Sequence, residues 1–100
     1  MRLTKEELTA IVSSVAKYDT AAEVYLFGSR VDDEKKGGDI DILIKSDLLN
    51  KDDIGRIEEA LFKRIDEQKV DFVLTGKTSS SSFALMVLSK GAVRLCQTKN

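Results

Sequence analysis

The run Asp39-Ile40-Asp41-Ile42-Leu43-Ile44 constrains this chain more than any other stretch. In a strand, successive side chains point to opposite faces. Ile40, Ile42 and Ile44 then share one face and need a hydrophobic cover. Asp39 and Asp41 share the other, with their Cα atoms roughly 7 Å apart at a rise of ~3.3 Å per residue. Like charges so close repel, and each raises the pKa of the other. A divalent cation between them removes that penalty. The pattern returns in Lys69-Val70-Asp71-Phe72-Val73-Leu74, where Val70, Phe72 and Leu74 share a face and Asp71 lies on the other. An acid in mid-strand opposes β propensity, and local rules often fail at functional sites. If the two strands are neighbours, the carboxylates of Asp39, Asp41 and Asp71 converge on one open face. An oxygen-rich pocket of that kind suits Mg²⁺.

The rest of the chain reads as cover and connection for these strands. A Thr4-x-x-Glu7 capping box opens a helix over about Lys5 to Lys17, with Leu8, Ile11, Val12 and Val15 on one face. Glu23 to Phe27 is rich in β-formers and predicts a strand ended by Gly28. Residues 29–38 are polar and close on Gly37-Gly38; a short helix can begin at Ser29. Ile40 to Lys45 is the second strand. Asp52 or Asp53 is expected to cap a helix carrying Ile54, Ile57, Leu61 and Ile65 on one stripe. Val70 to Leu74 is the third strand. A helix from Ser81 or Ser82 runs through Phe83, Leu85, Met86 and Leu88 to a C-cap at Gly91, and Ala92 to Cys96 is a last strand. The order α-β-(α)-β-α-β-α-β implies an α/β (α+β) domain: a small mixed sheet with helices packed on one face.

Composition narrows the chemistry. The 100 residues amount to one domain, expected over 1–100, and the 42% of apolar residues is a globular value. Histidine is absent, which removes Ser-His-Asp and Cys-His nucleophile systems and His-ligated zinc. The net charge of −1 offers no dedicated nucleic-acid surface. One cysteine forbids an intramolecular disulfide and fits a reducing cytoplasm. The N-terminus (MRLTKEEL) has no apolar core of a signal peptide, and no apolar run approaches the ~18 residues that span a membrane.

Phe27-Gly28-Ser29-Arg30 leaves the first strand as a candidate phosphate cradle. Glycine lets a phosphate approach the backbone closely, and a helix N-terminus would aim N–H groups at it. Ser29 adds a hydroxyl donor. Arg30 adds charge, or alternatively forms a structural salt bridge with the acidic stretch Asp32 to Glu34. A phosphate cradle beside a carboxylate cluster is what phosphoryl-type transfer needs. Singly these signals are weak, because Asp-x-Asp and Gly-Ser are common in surface turns and a lone Asp71 reads as an edge or bulge residue. The combination carries the meaning.

That combination, LFGSRVDDEKKGGDIDILI followed by KVDFVL, resembles the nucleotidyltransferase superfamily that includes DNA polymerase beta, and most closely its minimal nucleotidyltransferase (MNT) branch. The family pattern is Gly-Ser, about ten residues, Asp-x-Asp, and a third acid on a later strand; the spacer here is at its short end. The resemblance implies the polymerase beta-like fold, with Asp39 and Asp41 ligating two Mg²⁺ ions. Asp71 would complete the second site and accept the hydroxyl proton. Gly28 and Ser29, with Arg30 beside them, would contact the β- and γ-phosphates of ATP or another NTP. The reaction implied is transfer of a nucleoside monophosphate, AMP from ATP foremost. Larger relatives carry an acceptor-binding domain for which this chain has no room. MNT proteins of this size act with a separate helical HEPN-type protein, often as an antitoxin that adenylylates a tyrosine of its partner toxin. Alternatives are a non-catalytic antitoxin that neutralises by contact, and the catalytic subunit of a small-molecule nucleotidyltransferase.

Other residues carry blander expectations. Tyr18 and Tyr25 read as packing residues, with a modification site or a stack on a base as the second reading. Cys96, among Val93 and Leu95, reads as a buried small apolar residue. Lys35 and Lys36 read as solvated loop charges, with steering of a triphosphate as the second reading. The nearly all-apolar helix through Phe83, Leu85, Met86 and Leu88 reads as core, with a partner interface as second reading.

Overall fold

Side-chain caps fix where the helices begin. A computed structural model describes residues 2–32 and 38–96. In α1 (Lys5–Ala16), Glu7 N donates to Thr4 Oγ1 at 3.0 Å and Thr4 N donates to Glu7 Oε1 at 2.9 Å, so both halves of the capping box form. In α2 (Lys51–Leu61), the N-cap is Asn50 and not Asp52 or Asp53. The Asn50 side chain accepts from the N–H groups of Asp52 and Asp53, and Asp53 takes the returning role by accepting from Asn50 N at 2.9 Å. Ser81 caps α3 (Ser82–Ser89) by accepting from Ala84 N at 3.1 Å. Gly91, just past its end, has φ +95°, the left-handed position expected of a C-terminal glycine.

Four strands form one mixed sheet: β1 (Glu23–Phe27), β2 (Ile40–Lys45), β3 (Val70–Thr75) and β4 (Val93–Leu95). The order across the sheet is β3-β2-β1-β4. β1 runs antiparallel to both β2 and β4, and β2 runs parallel to β3. A parallel pair needs a crossover, and α2 supplies it. Central β2 is the most buried strand, with Ile40, Ile42, Leu43 and Ile44 all fully buried.

The alternation of β2 sorts the two faces. Ile40, Ile42 and Ile44 pack with Ile11 and Val15 of α1 and with Ile57 and Leu61 of α2. Removing the side chain beyond Cβ from any of these isoleucines costs about 2–5 kcal/mol. Leu43 points the other way and meets Ala84 and Val87 of α3, flanked by Tyr25, Phe27 and Val73. Thus α1 and α2 cover the isoleucine face as expected, and α3 adds a partial cover to the acidic face. Tyr18 and Tyr25 both pack against core clusters. Cys96 departs from expectation: β4 ends at Leu95, and the thiol beyond it is exposed. No helix among the described residues is long and apolar enough to cross a membrane.

Candidate active site

The register of β2 and β3 places the acids. Asp41 pairs with Asp71 across the parallel ladder, and Phe27 pairs with Asp41 on the antiparallel side. Paired residues point to the same face. One row therefore crosses three strands on the α3 side of the sheet, reading Asp71, Asp41, Phe27, with neighbouring strands ~4.8 Å apart. Asp39 stands immediately before β2, one register step ahead of the pair Ile40 and Val70. Its carboxylate lies 3.3 Å from Lys69 Nζ. Three carboxylates and one ammonium thus occupy a two-by-two array, with a formal charge of −3 + 1 = −2 from Asp39, Asp41, Asp71 and Lys69.

The electrostatics follow from that array. Burial raises the pKa of Asp41, and the charges of Asp71 and Asp39 push it further up, against the opposing pull of Lys69. The hydrogen bond to Asp39 holds the Lys69 ammonium above its usual pKa, reinforced by the charges of Asp39 and Asp71. Lys69 is the residue the sequence reasoning missed. Its signal was the period of two, since it stands two residues before Asp71 and shares its face.

The Gly-Ser turn closes over the same spot. Gly28 has φ +77°. A Cβ there would collide with Asp41 Oδ2, so the carboxylate lies directly against the glycine backbone. Gly38, at φ +89°, is likewise so close to Ser29 Oγ that a Cβ would overlap it. The helix anticipated at Ser29 is a single 3-10 turn over Gly28–Val31. Two arginines hold it through main-chain carbonyls. Arg30 donates from Nε to Gly38 O at 3.3 Å and from a terminal nitrogen to Arg2 O at 3.0 Å. Arg2 donates to Ser29 O and to Asp32 O, each at 3.1 Å. These bonds give Arg30 a structural share in the site. Lys35 and Lys36, with the rest of 33–37, lie outside the described residues, as does the acidic stretch beyond Asp32.

The donor set fits a hard divalent cation: oxygens only, on a site whose charge is −2 and whose central carboxylate is pushed toward protonation by its neighbours. Among the described residues, no three acidic side chains stand together closely enough to hold one ion as they are placed. Asp39 is turned to Lys69, so three-carboxylate ligation requires it to exchange that ammonium for the cation.

A family model described as polymerase beta, nucleotidyltransferase matches residues 9–100. No curated protein matches the chain.

Proposed function

Because the chain belongs to the polymerase beta nucleotidyltransferase family, we propose that it transfers a nucleoside monophosphate from an NTP such as ATP to a hydroxyl acceptor. The observation that carries this reading is the seat of Asp41, whose carboxylate lies against the Gly28 backbone and in register with Asp71. Phosphate cradle and carboxylates therefore meet at one point.

Asp39, Asp41 and Asp71 would hold Mg²⁺. When bound, it supplies charge neutralisation for the triphosphate and lowers the pKa of the attacking hydroxyl. The backbone at Gly28, where a Cβ would collide with Asp41, lets the β- and γ-phosphates approach closely. The Ser29 hydroxyl donates to them. Arg30 fixes the shape of the turn and adds positive charge beside the leaving group. The acceptor oxygen bonds to the α-phosphorus as the bond from that phosphorus to the bridging oxygen breaks. The electron pair leaves with pyrophosphate, and the hydroxyl proton passes to Asp71. Asp71 is exposed, which suits a group that an outside acceptor must reach.

The acceptor in this reading is a tyrosine of a separate helical HEPN-type partner, which the chain silences as an antitoxin. The MNT-like motif spacing supports this, as does Leu85 of α3, left 59% exposed outside the cavity that Phe83 and Met86 line. The same apolar surface also favours a second reading, an antitoxin that neutralises by contact alone.

One experiment separates the two. ATP labelled at the α-phosphate is incubated with the chain and Mg²⁺, with and without the protein encoded next to it, beside an Asp39→Ala, Asp41→Ala control. Label on the companion that vanishes in the control is the expected result. No label from any of the four NTPs, with the companion still bound, overturns the enzymatic reading.

A further inference from the structure

We propose that the cavity beside the Gly-Ser turn seats the base of the nucleotide, and that it takes a purine with little discrimination between adenine and guanine. This rests on the reading of Gly28 and Ser29 as phosphate contacts. The cavity measures about 520 Å³, within the range of small-ligand sites. Phe27, Val31, Phe83, Met86 and Val87 wall it, and Gly28 and Ser29 form part of the same lining. It is thus continuous with the phosphate cradle.

The row across the sheet assigns its occupant. Moving from Asp71 to Asp41 to Phe27, each step is one strand spacing of ~4.8 Å. A nucleoside attached to an α-phosphate at Asp41 reaches the cavity by a single step toward Phe27. The acceptor belongs on the other side. In-line displacement puts the attacking oxygen opposite the leaving pyrophosphate, and the cavity shares its wall with the residues that grip that pyrophosphate. The Asp71 end of the row is left for the acceptor.

The walls suit the flat apolar face of a base. The Phe83 ring meets the Phe27 ring edge-on, with centroids 6.1 Å apart and planes at 76°. Phe83 and Met86 nonetheless remain close to half exposed, so aromatic and thioether surface is left for a ligand to cover. The polar side chains at the cavity are Ser29, Asp32 and Lys90, and the charged pair lies in solvent. Among the described residues, no buried polar side chain of the lining reads the base edge. A mostly apolar pocket discriminates poorly between bases that differ in polar edge groups. Purines gain over pyrimidines through their larger stacking area.

The test is calorimetric titration of the intact chain, in Mg²⁺, with ATP, GTP, CTP, UTP and inorganic tripolyphosphate. ATP and GTP should bind within a few-fold of each other and ~10-fold more tightly than tripolyphosphate, the scale of one base–aromatic contact. Phe83→Ala and, separately, Met86→Ala should each remove much of that advantage and leave tripolyphosphate binding in place. Both side chains are too exposed for their loss to unfold the chain. An advantage that survives both substitutions, or ATP binding no tighter than tripolyphosphate, overturns the base site. A preference for ATP over GTP above ~100-fold, beyond what an apolar pocket supplies, overturns the predicted tolerance. Failure of every ligand, tripolyphosphate included, has a different meaning: the phosphate cradle itself is wrong, and the base site falls with it.

Discussion

Asp41 and Asp47 stand at opposite ends of β2 and meet opposite surroundings. Asp47 Oδ1 accepts from Lys77 N at 2.9 Å, Thr78 N at 3.3 Å and Thr78 Oγ1 at 3.2 Å. The main-chain bond from Thr78 leads the effects that hold its carboxyl below the usual range. Nearby, Ser46 Oγ accepts from Leu48 N and Leu49 N, and Thr75 Oγ1 accepts from Ser81 N. That end is sealed by N–H groups from its own loops. At the other end, burial and two neighbouring carboxylates raise the pKa of Asp41. The same residue type is structural where its neighbours are donors. Where its neighbours are other acids, it is poised for a cation.

Neutralising each acid in turn should separate their roles most widely. Asp41→Asn is expected to lower nucleotide transfer by ~10³-fold or more, the scale of losing an essential electrostatic group. Asp47→Asn should leave transfer near wild type and lower Tm by a few degrees. Equal loss of transfer in both variants would show that the two ends do not differ in role. The glycines give the next contrast. Gly28→Ala forces a left-handed backbone on alanine, at about 1–2 kcal/mol, and drives its Cβ into Asp41. Misplacing a reacting group by about 1 Å can cost ~10²-fold in rate, so kcat should fall by that order. Gly91→Ala meets nothing within 4 Å. It should carry the backbone strain with a lower Tm and an unchanged kcat, and because Gly91 lines the cavity proposed for the base, any kinetic effect should fall on KM.

Much of the acidic end was legible because one rule sufficed. Period-two alternation put Ile40, Ile42 and Ile44 on one face and Asp41 on the other, and the same rule placed Asp71. Lys69 obeyed it too, but a lysine before a strand reads as solvated until the parallel register sets it against Asp39. The cap of α2 was misplaced because Asn, Asp and Asp in close succession all suit an N-cap, and only geometry shows which oxygen reaches the free N–H groups. Arg2 and Arg30 spend donors on main-chain carbonyls far away in sequence, and no local pattern encodes such bonds. The cavity walled by Phe27 and Phe83 arises where β1 meets α3, so neither segment announces it alone.

A finer test sets the two acids against pH. The folded pKa of Asp41 is raised from 3.8, so the folded state holds its proton more tightly. Stability from this group falls as pH rises from about the unfolded value through the folded one. The folded pKa of Asp47 is lowered from 3.8. Its contribution is present above the unfolded value and is lost as pH falls through the folded one. Without Mg²⁺ at pH 7, Asp41→Asn should therefore melt a little higher than wild type, and the gap should close as the pH drops toward 4. Asp47→Asn should melt lower at pH 7, and its deficit should shrink only below about pH 4. Adding Mg²⁺ should raise the wild-type Tm and leave Asp41→Asn almost unmoved. A wild type that gains nothing from Mg²⁺ would detach the raised pKa from any cation.

Lys69 offers the smallest effect and the most direct reading of the array. Its ammonium neutralises part of the acidic end and engages Asp39, a carboxylate proposed as a ligand. Lys69→Met keeps the length of the stem and removes the charge, so Mg²⁺ no longer competes for Asp39 or meets its repulsion. Affinity for Mg²⁺, followed by calorimetry without nucleotide, should rise a few-fold at low salt. The pair is exposed, and such interactions are weak and screened, so the gain should fade toward wild type at ionic strengths near 1 M. With ATP present the sign can reverse, because the ammonium then lies beside a triphosphate as well as beside the carboxylates. A few-fold tighter Mg²⁺ binding combined with a higher KM for ATP would mark Lys69 as a group that serves the acids in the free protein and the phosphates in the complex. Unchanged Mg²⁺ affinity at low salt would place the cation away from Asp39 and leave Asp41 and Asp71 as the pair that holds it.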